Sequence, residues 1–273
     1  MIVRISRVIL SVAAAVTTAG LVTAVSVMPA ADAAPSVSYV ALGDSYSSGL
    51  GAGSYISSSG SCDRSTNAYP EQWAAANSPA SFVSVACAGA TTSDVISSQV
   101  SALSASTTLV SLTIGGNDAG FSSTMETCVL HSTSTCVSAV SADETYITNQ
   151  LPARLDSALQ AIRSHAPNAK VVLLGYPELY DLSKSSTCIG LSTTDRTALN
   201  GAADQLDRAM GSAAARNSAT FADVRSRFSG HEICDGSSSW LNSVNILSIS
   251  SSYHPTASGQ IHGYEYVFAN NAG

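Results

Sequence analysis

The sequence predicts an α/β fold with a doubly wound parallel sheet, and three observations carry this prediction. Five short apolar runs have the length and composition of buried strands. Longer segments with helical periodicity lie between these runs, so strands and helices alternate along the chain. Several runs end in glycine or small polar residues, as expected where strands enter loops. Because ligands of such sheets bind beyond the carboxyl ends of the strands, we expect the functional residues there.

The predicted strands are nearly continuous apolar runs, because a strand covered by helices on both faces needs no alternation of polar and apolar residues. They cover residues 37–42, 81–86, 107–114, 170–174 and 220–224. Residues 107–114 give the clearest strand, since Leu109, Val110, Leu112 and Ile114 are all apolar.

The predicted helices cover residues 68–77, 146–165, 193–216 and 256–269. In the second of these, leucine and isoleucine residues recur on one stripe. Pro152 lies inside this stripe, and the sequence therefore predicts a kink there or a later helix start. Periodicity resolves no element in residues 49–67 or 121–143, which are expected to be loops.

The first 33 residues have the features of a secretory signal peptide. Arg4 and Arg7 precede an apolar run over residues 8–27, and Ala31-Asp32-Ala33 matches an A-x-A cleavage site. The alternative is an N-terminal membrane anchor, because the run is almost long enough to span a bilayer. We expect a signal peptide at 1–33, a single domain at 34–273 and an extracellular protein.

The charge balance excludes two broad classes of protein. The chain carries a formal net charge of −7, with 11% charged and 45% hydrophobic residues. An acidic surface argues against a nucleic-acid partner, and the hydrophobic fraction argues against disorder. After residue 33, no apolar stretch is long enough for stable membrane insertion. A monomer is the default expectation.

All six cysteines lie in the predicted mature part of the chain, in agreement with export to an oxidising environment. Six cysteines allow fifteen pairings, so the sequence alone leaves the connectivity open. We expect sequential pairs, because each bridge then closes a local loop: Cys62–Cys87, Cys128–Cys136 and Cys188–Cys234. The alternative, a zinc site, lacks the C-x₂-C pair and histidine spacing of such sites, and no metal is expected.

Three predicted strands end in clusters that can serve acyl transfer. These clusters are Gly43-Asp44-Ser45, Ala88-Gly89-Ala90 and Gly116-Asn117-Asp118. At one edge of a parallel sheet they gather a hydroxyl, a glycine amide and a side-chain amide, which suit a nucleophile and an oxyanion. His254 precedes the last predicted helix and can supply the base. Each cluster alone is also an ordinary turn or helix cap.

These motifs resemble those of a known family, the SGNH or GDSL-type esterases and lipases. Residues 43–49 (GDSYSSG) resemble its block I, and Gly89 resembles the block II glycine. Residues 115–118 (GGND) resemble block III, and His254-Pro255 resembles block V. The tyrosine in block I and the three expected disulfides resemble secreted actinobacterial lipases and esterases. The resemblance implies a flavodoxin-like three-layer α/β/α sandwich with a central five-stranded parallel sheet.

The resemblance also assigns roles to residues of this chain. Ser45 would be the nucleophile and His254 the general base and acid. The backbone amides of Ser45 and Gly89, with the side chain of Asn117, would form the oxyanion hole. No cofactor is implied. Apart from the resemblance, His231 is an alternative to His254 as the base.

One position departs from the family pattern. Block V usually reads Asp-x-x-His, but Ser251 stands three residues before His254, and no carboxylate lies between Asp235 and His254. A backbone carbonyl can take the place of the missing aspartate by accepting a hydrogen bond from imidazole Nδ1–H. We therefore expect a Ser–His dyad in which the carbonyl of Ser251 (or, as the alternative, Ser252) orients His254.

The expected activity is hydrolysis of carboxylic esters of fatty acids through an acyl-serine, with an ester or lipid as substrate. Tyr46, Leu50 and Phe121 lie near the motifs and favour an apolar acyl group. On the same site, phospholipase A1 activity and polysaccharide deacetylation are alternatives. A secreted binding domain without activity is an alternative of a different class.

Overall fold

The computed structural model describes residue 13 and residues 36–184, 188, 190–245 and 249–273. The predicted signal peptide at 1–33 therefore lies outside the described residues, apart from residue 13. Residues Ser36–Gly273 form one compact unit. In the described part of the chain, no helix is both long enough and apolar enough to cross a membrane.

The described residues contain a five-stranded sheet in the order β2-β1-β3-β4-β5, and every neighbouring pair is parallel. The strands are β1 (Ser38–Ala41), β2 (Ser81–Ser84), β3 (Leu109–Leu112), β4 (Lys170–Leu174) and β5 (Thr220–Ala222). All five lie within the predicted strands, and the order is the flavodoxin-like one. The predicted fold class is confirmed. The order reverses between β1 and β3, and such a switch point is where ligands of these sheets bind.

Helices cover both faces of the sheet, so the central strands are apolar on both sides. All four residues of β3 are buried, and Val110 and Leu112 are fully enclosed. The helices are α1 (Ser45–Ser48), α2 (Tyr69–Asn77), α3 (Thr92–Ser97), α4 (Phe121–Leu130), α5 (Thr133–Asn149), α6 (Leu151–His165), α7 (Thr193–Arg216), α8 (Arg225–Phe228) and α9 (Tyr266–Ala272). Helices α2 and α9 pack together through a π-helical segment, Gly259–Glu265, whereas α3, α5, α6 and α7 pack with one another.

One predicted loop and the start of one predicted helix differ from the structure. Residues 121–143 are not a loop: they contain α4 and most of α5. Helix α5 escapes the periodicity because its buried residues are only Cys136, Val140 and Ile147 among many small polar side chains. Pro152 stands in the first turn of α6, so the later helix start is the alternative that the structure adopts.

The three disulfides join the cysteines in the expected sequential order. Cys62–Cys87 ties the loop before α2 to the end of β2, close to Gly89. Cys128–Cys136 joins α4 to α5 across their short connection. Cys188–Cys234 links the segment before α7 to the segment after α8. No cysteine of the described residues is free.

Candidate active site

Ser45 is the first residue of α1, directly beyond the carboxyl end of β1. The chain turns there at Gly43, whose φ of +116° favours glycine. A Cβ at Gly43 would also lie 2.5 Å from the carbonyl oxygen of Thr113. The buried amide of Gln99 accepts from the Gly43 N–H and donates to its carbonyl, at 2.7 and 2.9 Å. The conformation and hydrogen bonds of this turn therefore restrict the position of Ser45.

Asp44 is the N-cap of α1 and is buried. Its carboxylate accepts hydrogen bonds from the Tyr46 amide at 3.0 Å and the Thr113 hydroxyl at 2.6 Å. The hydroxyl of Tyr176 donates to its second oxygen. Burial raises the pKa of Asp44 to about 6, although the accepted hydrogen bonds oppose that rise. Within the described residues, Asp44 makes no hydrogen bond to His254; it fixes the turn that carries Ser45.

The structure brings together Ser45 and His254, which are 209 residues apart in the chain. The Ser45 hydroxyl donates to Nε2 of His254 at 2.7 Å. On the other side of the ring, Nδ1–H donates to the carbonyl oxygen of Ser252 at 2.9 Å. This second bond selects the tautomer in which Nε2 is free to accept a proton.

The carbonyl that orients His254 belongs to Ser252, not to Ser251, so the preferred expectation was wrong and its alternative holds. The carbonyl of Ser251 accepts from the backbone N–H of His254 at 3.3 Å instead. Ser251 closes a short helical turn, Ile249–Ser251, and Tyr253 then adopts a φ of +66°. This geometry directs the Ser251 carbonyl at the main chain and leaves the Ser252 carbonyl beside the ring.

The loop that carries His254 is held from two sides. The hydroxyl of Tyr46 donates to the Tyr253 carbonyl at 2.7 Å. Asn242 binds the main chain of this loop. Its carbonyl accepts a hydrogen bond from the Tyr253 amide, and both its backbone amide and its side-chain amide donate to the His254 carbonyl. Tyr46 therefore connects the helix of Ser45 directly to the loop of His254.

Gly89 and Asn117 lie in the loops after β2 and β3, and Asn117 lines the same groove as Ser45. Gly89 has a φ of +81° and is exposed, and a Cβ there would meet nothing within 4 Å. Its backbone conformation, rather than crowding by the protein, is what requires glycine. The Asn117 side chain donates one hydrogen bond to the Ala90 carbonyl at 3.0 Å. Among the described residues, the second hydrogen on that nitrogen has no acceptor.

Asp118 has a structural task that the sequence motif did not predict. Its carboxylate accepts from the Thr92 amide at 2.9 Å and from the Thr92 hydroxyl at 2.6 Å. Because Asn117 bonds to Ala90 in the same loop, the two neighbouring side chains together hold the segment after Gly89. Only the place of Asp118 beside Asn117 in the motif could have indicated this task.

A buried glutamine, Gln260, was also missed. Its side-chain amide donates to the Tyr46 carbonyl at 3.0 Å, and its oxygen accepts from the Tyr69 amide at 2.9 Å. It thus joins α1 to α2 from a segment near the end of the chain. No local pattern in the sequence reveals such a contact.

The alternative base, His231, lies elsewhere. Its ring stacks on Trp240 with 3.7 Å between the centroids, and its Nδ1 lies 2.7 Å from the Ser238 carbonyl. It is absent from the lining of the Ser45 site. Within the described residues, no group of three His, Cys, Asp or Glu side chains could hold a metal ion.

An apolar groove leads away from Ser45 and His254 into the helical layer. The end of β4, with Tyr176, Pro177 and Leu179, forms part of its wall. The helices α4, α5 and α7 contribute Phe121, Ser122, Thr124, Val140, Asp143, Ile147, Leu199, Ala202, Ala203 and Leu206, and the loop after β3 contributes Gly116, Asn117 and Ala119. A groove with this lining suits a hydrocarbon chain attached to a carbonyl at Ser45.

Fold and site together define a carboxylic ester hydrolase. A profile described as the GDSL-like lipase/acylhydrolase family matches residues 41–260. The chain is 55% identical over 260 residues to Lipase 1 of Streptomyces coelicolor, covering 95% of this chain and 94% of that protein. The chain therefore belongs to the GDSL-like lipase/acylhydrolase family, and the predicted family is confirmed.

Solved structures agree with this membership. The crystal structure of phospholipase A1 from Streptomyces albidoflavus NA297 matches with a TM-score of 0.84 and 53% identity, covering 87% of this chain and all (100%) of that one. The extracellular lipase from Streptomyces rimosus matches with a TM-score of 0.83 and 49% identity, covering 86% and 100%.

Proposed function

We propose that this protein is a secreted lipase or esterase that hydrolyses fatty-acyl esters through a covalent acyl-Ser45 intermediate. The observation that carries the proposal is the hydrogen-bonded Ser45–His254 pair at the head of an apolar groove. A hydroxyl bonded to an unprotonated imidazole nitrogen is an activated nucleophile. The groove offers the acyl chain an apolar site beside that nucleophile.

In the proposed mechanism His254 acts first as a base and then as an acid. Nε2 takes the proton of Ser45 as its oxygen attacks the ester carbonyl, and the carbonyl electrons move onto oxygen. The backbone amides of Ser45 and Gly89 and the side chain of Asn117 donate hydrogen bonds to this oxyanion. His254 then gives its proton to the departing alcohol. Water, deprotonated by His254, releases the fatty acid and restores Ser45.

The dyad replaces the charge of the usual aspartate with the dipole of the Ser252 carbonyl. A carbonyl fixes the tautomer and the direction of the ring as a carboxylate does. It stabilises the imidazolium less than a full negative charge, and the neutral ring is correspondingly favoured. Burial acts in the same direction and lowers the pKa of His254 to about 4, although the Ser252 bond opposes this.

This low pKa predicts the acid limb of the pH profile. The base must be neutral in the free enzyme, so kcat/KM for a short-chain ester should fall as the pH drops through about 4, not through the ordinary value near 6.5. The measurement is kcat/KM for p-nitrophenyl acetate between about pH 3.5 and 8, with the fold monitored by circular dichroism. Half-maximal kcat/KM at about pH 6.5 or above, with the fold intact, would contradict the prediction.

Phospholipase A1 activity is the second candidate, and one observation favours it. The S. albidoflavus structure with 53% identity is named a phospholipase A1, and its fold covers 87% of this chain. Deacetylation of a polysaccharide fits less well, since an acetyl group would leave the apolar groove empty.

Export and a monomeric state complete the proposal. The three disulfides support export, because disulfides form and persist in an oxidising environment.

A serine-directed organophosphonate separates the enzyme from a binding domain. Wild-type protein should be labelled once, at Ser45, whereas Ser45→Ala should stay unlabelled. A matched variant, Ser97→Ala, removes an exposed hydroxyl from α3 and should be labelled like the wild type. Folded, oxidised wild-type protein that remains unlabelled would support the binding domain instead.

A substrate panel then identifies the ester. It should contain p-nitrophenyl esters of increasing chain length, a triacylglycerol, a phospholipid with distinguishable acyl chains and an acetylated xylan. We expect hydrolysis of the fatty-acyl esters to exceed that of the acetylated polymer. Release of the sn-1 chain from the phospholipid would add phospholipase A1 activity. Preference for the polymer would overturn the fatty-acyl proposal.

A further inference from the structure

One carboxyl group interrupts the apolar part of the groove. Within the described lining, the carboxyl groups are those of Asp44, beside Ser45, and Asp143, on α5. Asp44 is enclosed by its hydrogen bonds at the catalytic end. Asp143 instead lies among the walls that the acyl chain would contact, between Val140 and Ile147 of the same helix. The described reaction gives Asp143 no task.

Asp143 lies close to the loop that follows Asn117. A Cβ placed on Gly120 would come within 3.3 Å of its Oδ1. The Gly120 amide in turn donates to the Asn117 carbonyl at 3.2 Å. Gly120 caps α4 without a side chain, and Thr124 of that helix lines the groove together with Asp143. The carboxyl therefore stands where α4 begins, still within the groove.

The surroundings of Asp143 disfavour its negative charge. Burial raises its pKa to about 6, the Thr124 hydrogen bond opposes the rise, and the charge of Glu144 on the same helix adds to it. No ionisable side chain of α4, α6 or α7 lines the groove beside it. The other titratable groups that face the groove are Asp44, Tyr46, Tyr176 and His254, all at its catalytic end.

We propose that Asp143 determines acyl-chain selectivity: chains long enough to cover its carboxyl bind better when that carboxyl is neutral, and short chains are indifferent to its charge. The inference rests on the proposed ester hydrolysis and assigns a specificity-determining residue to it. A hydrocarbon chain laid against Asp143 removes the carboxyl from water, which is costly for the charged form and mild for the neutral form. Binding of a long chain and protonation of Asp143 are therefore linked.

The test compares two substrates at two pH values. kcat/KM is measured for p-nitrophenyl acetate and p-nitrophenyl decanoate, the latter below its micelle concentration, at about pH 5 and about pH 8. His254 is unprotonated at both, since its pKa is about 4. In the wild type, the ratio of kcat/KM for the decanoate to kcat/KM for the acetate should rise about tenfold from pH 8 to pH 5. This is the change expected when the bound decanoyl chain raises the pKa of Asp143 by about one unit.

Asp143→Asn keeps the shape and the hydrogen-bonding capacity toward Thr124 but carries no charge. Its decanoyl-to-acetyl ratio should be high at both pH values and independent of pH. The matched control Glu126→Gln removes an exposed charge from α4, outside the groove, and should keep the wild-type dependence on pH. If Asp143→Asn does not fold, Asp143→Ala, which also removes the charge, takes its place in the same comparison, because Asp44 titrates in the same pH interval and the wild-type ratio alone does not separate the two carboxyls.

Two outcomes would overturn the inference: a wild-type ratio that is equal at both pH values, or a ratio in Asp143→Asn that still changes with pH. Either result, with acetyl and decanoyl esters both hydrolysed, refutes the role of Asp143 and leaves the proposed function standing. Absence of hydrolysis of every ester, together with absence of organophosphonate labelling, refutes the proposed function itself.

Discussion

Ser45→Ala and His254→Asn are each expected to lower kcat by at least about 10⁴-fold, with little change in KM. Ser45 supplies the oxygen that becomes acylated, and His254 supplies the only imidazole hydrogen-bonded to it among the described residues. The two side chains act as one unit, so the double variant should lose hardly more than either single variant. The measurement is steady-state hydrolysis of a short-chain ester.

His165→Asn provides the matched control, because His165 is exposed at the end of α6 and away from the groove. It should keep wild-type kcat. Thermal unfolding of all variants establishes that the fold survives. Retention of more than about one hundredth of wild-type kcat by His254→Asn would show that another group acts as the base.

Asn117→Ala should give the second largest loss, about 10²- to 10³-fold in kcat. Its side-chain amide is expected to donate to the oxyanion, whose charge exists only in the transition state, so KM should change little. The same amide also holds the Ala90 carbonyl at 3.0 Å, and its removal loosens the loop of Gly89. Both effects lower kcat and leave KM nearly unchanged.

Asp118→Asn separates these two contributions. It weakens the hydrogen bonds to Thr92 that hold the same loop but leaves the Asn117 amide in place. We expect its loss of kcat to be far smaller than that of Asn117→Ala. Equal losses in the two variants would assign the effect to the loop and contradict direct donation by Asn117. Asn168→Ala, at an exposed position, controls for the substitution itself.

Local patterns were sufficient for most of the fold. Apolar runs predict the five strands because a strand buried on both faces leaves a dense local signature. Helix α7 begins and ends where predicted, at Thr193 and Arg216, since its capping residues and its apolar stripe agree. The helices α4 and α5 were missed because few large apolar side chains mark their buried faces.

The candidate site divides in the same way. Motif residues at strand ends were predicted to converge, because parallel strands deliver their carboxyl ends to one edge, and the structure brings Ser45 and His254 together. The choice between the Ser251 and Ser252 carbonyls depends on a turn with φ of +66° at Tyr253, which two adjacent serines cannot signal.

The sequence by itself determined the positions of the five strands, the bounds of helix α7 and the motif residues, because each of these leaves a local or family-wide pattern. Only the tertiary structure decided how those residues are held. Gln99, Gln260 and Asp118 each make two hydrogen bonds to distant segments, across 56, 191 to 214 and 26 residues of chain respectively. It also decided that Asp143 lies in the groove. Contacts between distant segments depend on packing geometry, and no spacing along the chain encodes them.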